Sequence, residues 1–184
     1  IENIKKTGLI TAHSLLNKED VRNFNNLFIS RRSNLWGLGI TKKTYKKMIF
    51  DEKLLRIKCL KSKKFLSTIK NFDDAILYGV LKFLYKSKKI NMDLCIFINS
   101  ILLEKFTITP KKSLVFNSGI DGSGERAKIS SKQLINDTFD ESNKLDFKFD
   151  LKKIKIDHKY ENIVKNKFSY SLISKLIKRI KHFV

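Results

Sequence analysis

The chain of 184 residues is 42% apolar and 11% aromatic, and its 39 lysines and arginines against 18 acids give a formal charge of +21. This composition supports a packed core and excludes a disordered chain. Two cysteines without metal-ligand spacing argue against a disulfide framework and a structural zinc site, and no run of about 20 apolar residues predicts a membrane-spanning helix.

The first part of the chain is predicted to contain two short strands and a helix. Runs with β-like composition at 7–12 and 26–30 are candidate interior strands. Thr41 is placed to cap a basic helix that extends to residue 48.

Two further helices are predicted from apolar residues at spacings of three and four, over 60–69 and 73–85. Asp73 and Asp74 stand at the start of the second helix, where carboxylates favour the helix dipole. The face of that helix predicted to be buried consists of Ile76, Leu77, Val80, Leu81, Leu84 and Tyr85.

The second half begins with an apolar-rich helix predicted over 92–106, which Pro110 prevents from continuing. A strand is predicted over 113–117, and it leads directly into a glycine-rich turn. From 128 to 160 the chain is polar and has no clear period, so a loosely packed region is expected there. The strands and helices together indicate an α/β fold.

The last predicted element is a basic amphipathic helix over 168–184. Its apolar stripe consists of Phe168, Leu172, Leu176, Ile180 and Phe183. Two interpretations stay open: the helix lies on an anionic membrane surface, or it packs onto the parent domain.

The charge of +21 also has two explanations. Lysines would attract the phosphates of nucleic acid, nucleotide sugar or anionic lipid. Alternatively, the joint over-use of Lys, Ile, Asn and Phe reflects AT-rich coding sequence. The lysines are scattered through every segment and no nucleic-acid-binding motif is present, so nucleic acid is not the expected partner.

The best local candidate for a site is the glycine-rich stretch N-S-G-I-D-G-S-G-E-R at 117–126. Three glycines in six residues allow backbone amides to turn toward an anion. Ser123 and Arg126 would add a hydroxyl and a guanidinium for phosphate oxygens. An ordinary tight turn is the alternative interpretation.

A second candidate surrounds Trp36, the single tryptophan. A lone tryptophan is often a core anchor, but Gly37 and Gly39 beside it indicate close approach of another group to the backbone. Arg31 and Arg32, just before it, would meet either a phosphate or solvent.

Asp93 is a third candidate because it is the only acid between residues 82 and 103. A carboxylate in such a stretch either caps a helix or takes part in chemistry. Its position alone favours capping.

Three separated segments resemble one family in order and spacing: S-R-R-S-N-L-W-G-L-G-I-T at 30–41, K-K-I-N-M-D-L-C at 88–95, and T-P-K-K-S-L-V-F-N-S-G-I-D-G-S-G-E-R at 109–126. They resemble the acceptor half of bacterial family-2-like glycosyltransferases of surface-polysaccharide pathways and, more faintly, the N-acetylglucosaminyltransferase I group. The resemblance covers about 5–128, and K-K-T-G-L-I-T-A-H-S at 5–14 is similar to the family's strand after its acidic metal-binding motif.

The resemblance implies a GT-A fold and sugar transfer with inversion. The family's aspartate falls on Asp93, which would deprotonate the acceptor hydroxyl as a general base. Its W-G pair falls on Trp36 and Gly37, near the sugar or the acceptor. A divalent cation, Mn or Mg, would stabilise the departing diphosphate, with ligands mostly outside this chain. The loop that closes over the diphosphate would consist of Gly119, Asp121, Gly122, Ser123 and Gly124, with Arg126 beside it.

The sequence departs from the family pattern at three positions. Met92 stands where tryptophan is usual, Leu38 replaces another aromatic residue, and Arg126 stands where relatives often have histidine. The family's N-terminal half, with the nucleotide pocket and the acidic motif, is also missing from the sequence. We therefore expect that the chain begins inside a longer reading frame and is inactive in isolation; a degenerate, inactive remnant is the other possibility.

The expected domain organisation follows from the resemblance: an acceptor-side half of a GT-A domain at 1–128, a polar, loosely structured extension at 129–167, and the basic helix at 168–184. The expected partners are a nucleotide-sugar donor and a saccharide acceptor. The expected location is cytoplasmic, with peripheral membrane contact through 168–184. The alternative function, from a different class, is a non-catalytic basic protein that binds nucleic acid or anionic membrane.

Overall fold

The structure is a computed structural model, and it describes residues 6–16, 18–22, 27–32, 36–86, 89–115 and 156–170. These residues form a mixed α/β structure in which helices pack around a small four-stranded sheet. The predicted α/β class is confirmed, and the more specific assignment to a GT-A fold stays a prediction.

The sheet has the strand order β2-β4-β1-β3. Its strands are β1 at Thr7–Ile10, β2 at Leu27–Ser30, β3 at Gly39–Ile40 and β4 at Phe106–Pro110. The central strands β1 and β4 are parallel, whereas β2 and β3 pair with them antiparallel. The predicted strands at 7–12 and 26–30 correspond to β1 and β2. Of these two predicted strands, β1 is interior and β2 lies at the edge of the sheet. A parallel bridge joins Ile29 of β2 to Ile156.

Most of the helices begin at a side chain that caps them. They are α1 at Lys18–Val21, α2 at Lys42–Tyr45, α3 at Glu52–Lys61, α4 at Lys63–Ile69, α5 at Asp74–Tyr85, α6 at Met92–Leu102 and α7 at His158–Phe168. Thr41 caps α2, as the sequence predicts, and Asp73, predicted to favour the dipole at the start of α5, caps that helix as well. The helix predicted over 60–69 is interrupted at Ser62. Residues 60–61 are the end of α3, and Ser62 caps the start of α4.

The helix predicted over 92–106 ends at Leu102 and is followed by strand β4. Glu104 takes a positive φ of 53°, the left-handed conformation that commonly terminates a helix. Pro110 does not interrupt a helix but is the last residue of β4, where it pairs with Leu27. Of the strand predicted over 113–117, Ser113 forms an isolated bridge and 116–117 lie outside the described residues.

The main core lies between α3, α4, α5 and α6, and it decides which face of α5 is buried. Val80, Phe83 and Leu84 are buried, whereas Leu81 and Tyr85, both predicted to be buried, are 42% and 69% exposed. Phe83 is buried because the neighbouring helices of the core pack against its side of α5.

Both cysteines, Cys59 and Cys95, are buried in the same cluster, and burial raises the pKa of the Cys59 thiol to about 12.

The expectation of a loose extension up to residue 167 is wrong for residues 156–167. Asp157 caps α7, and the buried Tyr160 and Val164 of that helix pack with Phe28 of β2. The predicted start of the last helix at Phe168 is also wrong, because Phe168 ends α7 and the next residue is extended. Residues 171–184 lie outside the described residues.

Candidate functional site

The carboxyl ends of the parallel strands β1 and β4 meet at one edge of the sheet. The chain after β1 stays attached there, since the Thr11 amide donates to the Ile108 carbonyl at 2.9 Å. The Leu114 amide, after β4, donates to the Ala12 carbonyl at 2.7 Å. Open α/β sheets bind ligands at this edge, because the loops that leave the strands provide side chains and amides. This edge is therefore the candidate site.

Trp36 lies at this edge and is half-buried. Its carbonyl accepts a hydrogen bond from Thr11 Oγ1 at 3.1 Å. Its indole contacts the buried ring of His13, with centroids 4.5 Å apart and an interplanar angle of 63°. Trp36 is therefore packed against His13 but is not fully buried, which differs from a core anchor.

Gly37 shows the close approach that the sequence predicts beside the tryptophan. Its φ is +65°, and a Cβ at this position would lie 2.5 Å from Ala12 Cβ and 3.1 Å from Val115 Cγ1. The Gly37 carbonyl also accepts a hydrogen bond from the Ala12 amide at 3.0 Å. At Gly39 the same prediction is wrong, because the atom nearest to an added Cβ would be 3.9 Å away.

Replacing Gly37 by alanine is expected to destabilise the fold by about 2–4 kcal/mol, since it combines a left-handed backbone with a steric clash. Urea unfolding monitored by circular dichroism measures this change. Gly39→Ala is the matched control, and it should change stability by less than about 1 kcal/mol because the position has space. Equal losses in the two variants would contradict the argument.

The same contacts bring the second sequence motif to the site. Val115, which precedes the glycine-rich stretch, lies against the backbone at Gly37. Two residues before Val115, the buried Ser113 hydroxyl accepts a hydrogen bond from the Ser14 amide at 3.0 Å and donates to the Ser14 carbonyl at 3.4 Å. The chain that leads to the glycine-rich stretch is therefore fixed beside Trp36. The predicted site residues Gly119, Asp121, Gly122, Ser123, Gly124 and Arg126 themselves lie outside the described residues.

Asp93 lies in the first turn of α6 and its side chain is exposed. It is not the helix cap, because Asn91 Oδ1 accepts the hydrogen bond from the Leu94 amide at 2.9 Å. The capping interpretation of Asp93 is therefore wrong. One turn along α6, Ile96 packs in a cluster that includes Leu38, so α6 lies against the segment that follows the tryptophan.

Comparison with protein-family models, with curated proteins and with solved structures found no match. The glycosyltransferase hypothesis therefore depends on the sequence segments and on the geometry of this edge.

Arg31 and Arg32 are both paired with carboxylates, and their side chains are 28% and 13% exposed. Arg31 Nη2 and Glu161 Oε2 are 2.6 Å apart, and Arg31 Nε and its own amide donate to the other carboxylate oxygen at 3.1 and 2.9 Å. Arg32 pairs with the buried Asp73, and its guanidinium lies 4.8 Å from the centre of the Phe168 ring. Burial lowers the pKa of Arg32 to about 10, so it stays charged at neutral pH. Both arginines fasten α7 to the fold.

The part of the chain that the structure describes contains no group of three or more His, Cys, Asp and Glu side chains placed to hold a metal ion. The divalent cation that the resemblance implies stays an expectation. Among the same residues, no helix combines the length and apolar character needed to cross a bilayer.

Sequence reasoning did not single out His13, Ser14 or Ser113, although all three are buried at this edge. The available signal was position: His13 and Ser14 follow directly after a predicted strand. Their pairing with Trp36 and Ser113 depends on how the strands are ordered in the sheet, which the sequence pattern does not reveal.

Proposed function

We propose that this chain is the acceptor-side portion of an inverting glycosyltransferase of the GT-A type, which transfers a sugar from a nucleotide-sugar donor to a saccharide acceptor. The observation that carries the proposal is the contact of Gly37 with Ala12 and Val115 at the carboxyl edge of β1 and β4. It joins two of the three segments that resemble the family, although they are far apart in the sequence.

In the proposed mechanism the Asp93 carboxylate accepts the proton of the acceptor hydroxyl as its oxygen attacks the anomeric carbon. The bond from that carbon to the nucleoside diphosphate breaks, and the diphosphate leaves with the electron pair. The exposed part of the Trp36 ring offers an apolar surface for one face of a sugar, because sugar C–H groups pack well on aromatic rings. The His13 ring contacts the indole with an interplanar angle of 63°.

Intrinsic fluorescence tests the proposal, because Trp36 is the only tryptophan among these 184 residues, and the variant Trp36→Phe separates its emission from that of any other tryptophan in the protein at its full natural length. We expect a saturable change of its emission when the protein, at its full natural length, is titrated with uridine, guanosine or thymidine diphosphate sugars together with oligosaccharide acceptors. Release of nucleoside diphosphate measures turnover in the same samples. If neither signal appears with any donor and acceptor of the panel, the proposal fails.

The second candidate function, a non-catalytic basic binding protein, is favoured by one feature. Lys42, Lys43, Lys46 and Lys47 are all exposed on and beside α2. Such a protein would bind RNA or anionic vesicles with a steep salt dependence and would release no nucleoside diphosphate.

A further inference from the structure

A cavity of about 260 Å³ opens at the amino ends of β1 and β4, the edge of the sheet opposite Trp36. The strands are four and five residues long, so the two edges are separated by roughly 13 Å or more. The charged side chains that line the cavity are Lys6, Arg31, Lys64, Glu104 and Lys105. It is therefore a separate place in the fold from the candidate glycosyltransferase site.

The charge of the lining is mainly positive. Arg31 is balanced by its ion pair with Glu161, and Glu104 opposes three lysines. The pKa of Lys105 is lowered, first by burial and then by its neighbours Lys43 and Lys47. An anion in the cavity would offset this repulsion, since it favours the charged form of each lysine.

Glu104 is the residue with the unusual backbone at this cavity. Its φ of 53° is a conformation in which glycine normally ends a helix, and a carboxylate side chain stands there instead. That carboxylate lies 2.5 Å from Lys64 Nζ, and the hydrogen bond from Lys64 lowers the pKa of Glu104. Residues in sparsely populated backbone conformations are concentrated at functional sites. Here the Glu104 carboxylate pairs with one of the lysines that line the cavity, and both side chains are largely exposed.

The remaining lining suits an organic phosphate rather than a bare ion. The Ser62 hydroxyl accepts the capping hydrogen bond of α4, so its hydrogen can be donated, and Thr68 provides a second hydroxyl. Phe65 and Phe106 form an apolar part of the wall. The volume is near the lower end for ligand pockets, which selects a small molecule.

We propose that this cavity binds a small soluble phosphate monoester, with the phosphate between Lys6, Lys64 and Lys105 and the organic part against Phe65 and Phe106. The proposal does not depend on the glycosyltransferase hypothesis. It requires binding within the cavity that Lys6, Lys64 and Lys105 line, whereas the second candidate function requires only exposed lysines on a surface.

Isothermal titration calorimetry with glycerol 3-phosphate at low salt tests the site. We expect saturable binding at one site per chain. Lys105→Gln should weaken it at least about tenfold, because it removes a charged donor to phosphate. Glu104→Gln should tighten it about threefold, because it removes a negative charge beside the ligand. Lys53→Gln, on the exposed surface of α3, changes the net charge as Lys105→Gln does and should leave the affinity unchanged.

Thr68→Phe adds bulk to the cavity without changing its charge, and it should abolish binding. Circular dichroism shows whether this variant folds; if it does not, the opposite responses of Lys105→Gln and Glu104→Gln decide the question. Trp36 emission should stay constant as glycerol 3-phosphate binds. The proposal is overturned by lack of saturable binding, by equal weakening in Lys53→Gln and Lys105→Gln, by a Trp36 response, or by binding to anionic vesicles only.

Discussion

Replacing Asp93 by asparagine is expected to lower sugar transfer by roughly a hundred- to ten-thousandfold in the protein at its full natural length. The amide is nearly the same shape as the carboxylate but cannot accept the proton of the acceptor hydroxyl. Donor binding should survive, since the proposed role of Asp93 concerns the acceptor. Release of nucleoside diphosphate measures transfer, and the part of the tryptophan emission that Trp36→Phe removes measures binding.

The change should hardly affect the fold, because Asn91 and not Asp93 caps α6. Asp93→Asn removes only a favourable charge near the helix dipole, which amounts to at most about 1 kcal/mol. Glu19→Gln is the matched control: it neutralises another exposed carboxylate in the first turn of a helix and should leave transfer unchanged. Full activity in Asp93→Asn would remove the assigned role, even if the protein proved to be a glycosyltransferase.

Replacing Asp73 by alanine is expected to lower the free energy of unfolding by about 3–5 kcal/mol. Asp73 is 1% exposed, its Oδ1 caps α5 by accepting from the Ile76 amide at 3.1 Å, and its Oδ2 pairs with Arg32. Without the carboxylate, the guanidinium of Arg32 is left as a buried charge without compensation. Urea unfolding at neutral pH measures the loss.

The matched control for this prediction is Asp51→Ala. Asp51 caps α3 by accepting from the Leu54 amide at 2.7 Å, but it is exposed. Its loss should cost only about 1 kcal/mol, the usual value for a cap. Equal losses at the two aspartates would show that the buried ion pair adds nothing to the cap.

A double replacement separates the ion pair from the cap. Arg32→Met leaves Asp73 as an unpaired buried carboxylate and should be strongly destabilising by itself. Combined with Asp73→Asn it should cost less than Arg32→Met alone, because neither charge then stays buried without its partner. Additive losses would contradict this explanation.

Arg31 and Arg32 also hold α7 against the rest of the fold. Arg32 contacts Asp73 at the start of α5 and Phe168 at the end of α7, while Arg31 pairs with Glu161 within α7. Arg32, which follows β2, thus connects α5 and α7, two helices that are far apart in the sequence.

Several features were predictable from the sequence because they are local. The β-like composition of β1, the capping side chain of Thr41 and the carboxylates at the start of α5 act within a few residues of where they stand. The approach of another group to Gly37 was also predicted, since a glycine beside a large aromatic residue usually accommodates a neighbour. Helix α7 was missed, although Tyr160 and Val164 have helical spacing, because most of its neighbours in the sequence are polar.

The sequence by itself therefore determined the α/β class and the beginnings of α2, α5 and α6. Only the tertiary structure decided that Phe83 is buried while Tyr85 is exposed, that Arg32 meets Asp73, and that Val115 reaches Gly37. The physical reason is the same in each case. A cap or a strand pattern is satisfied by neighbours in the chain, whereas burial, ion pairing and close backbone approach depend on partners that only the packing of sheet and helices brings together.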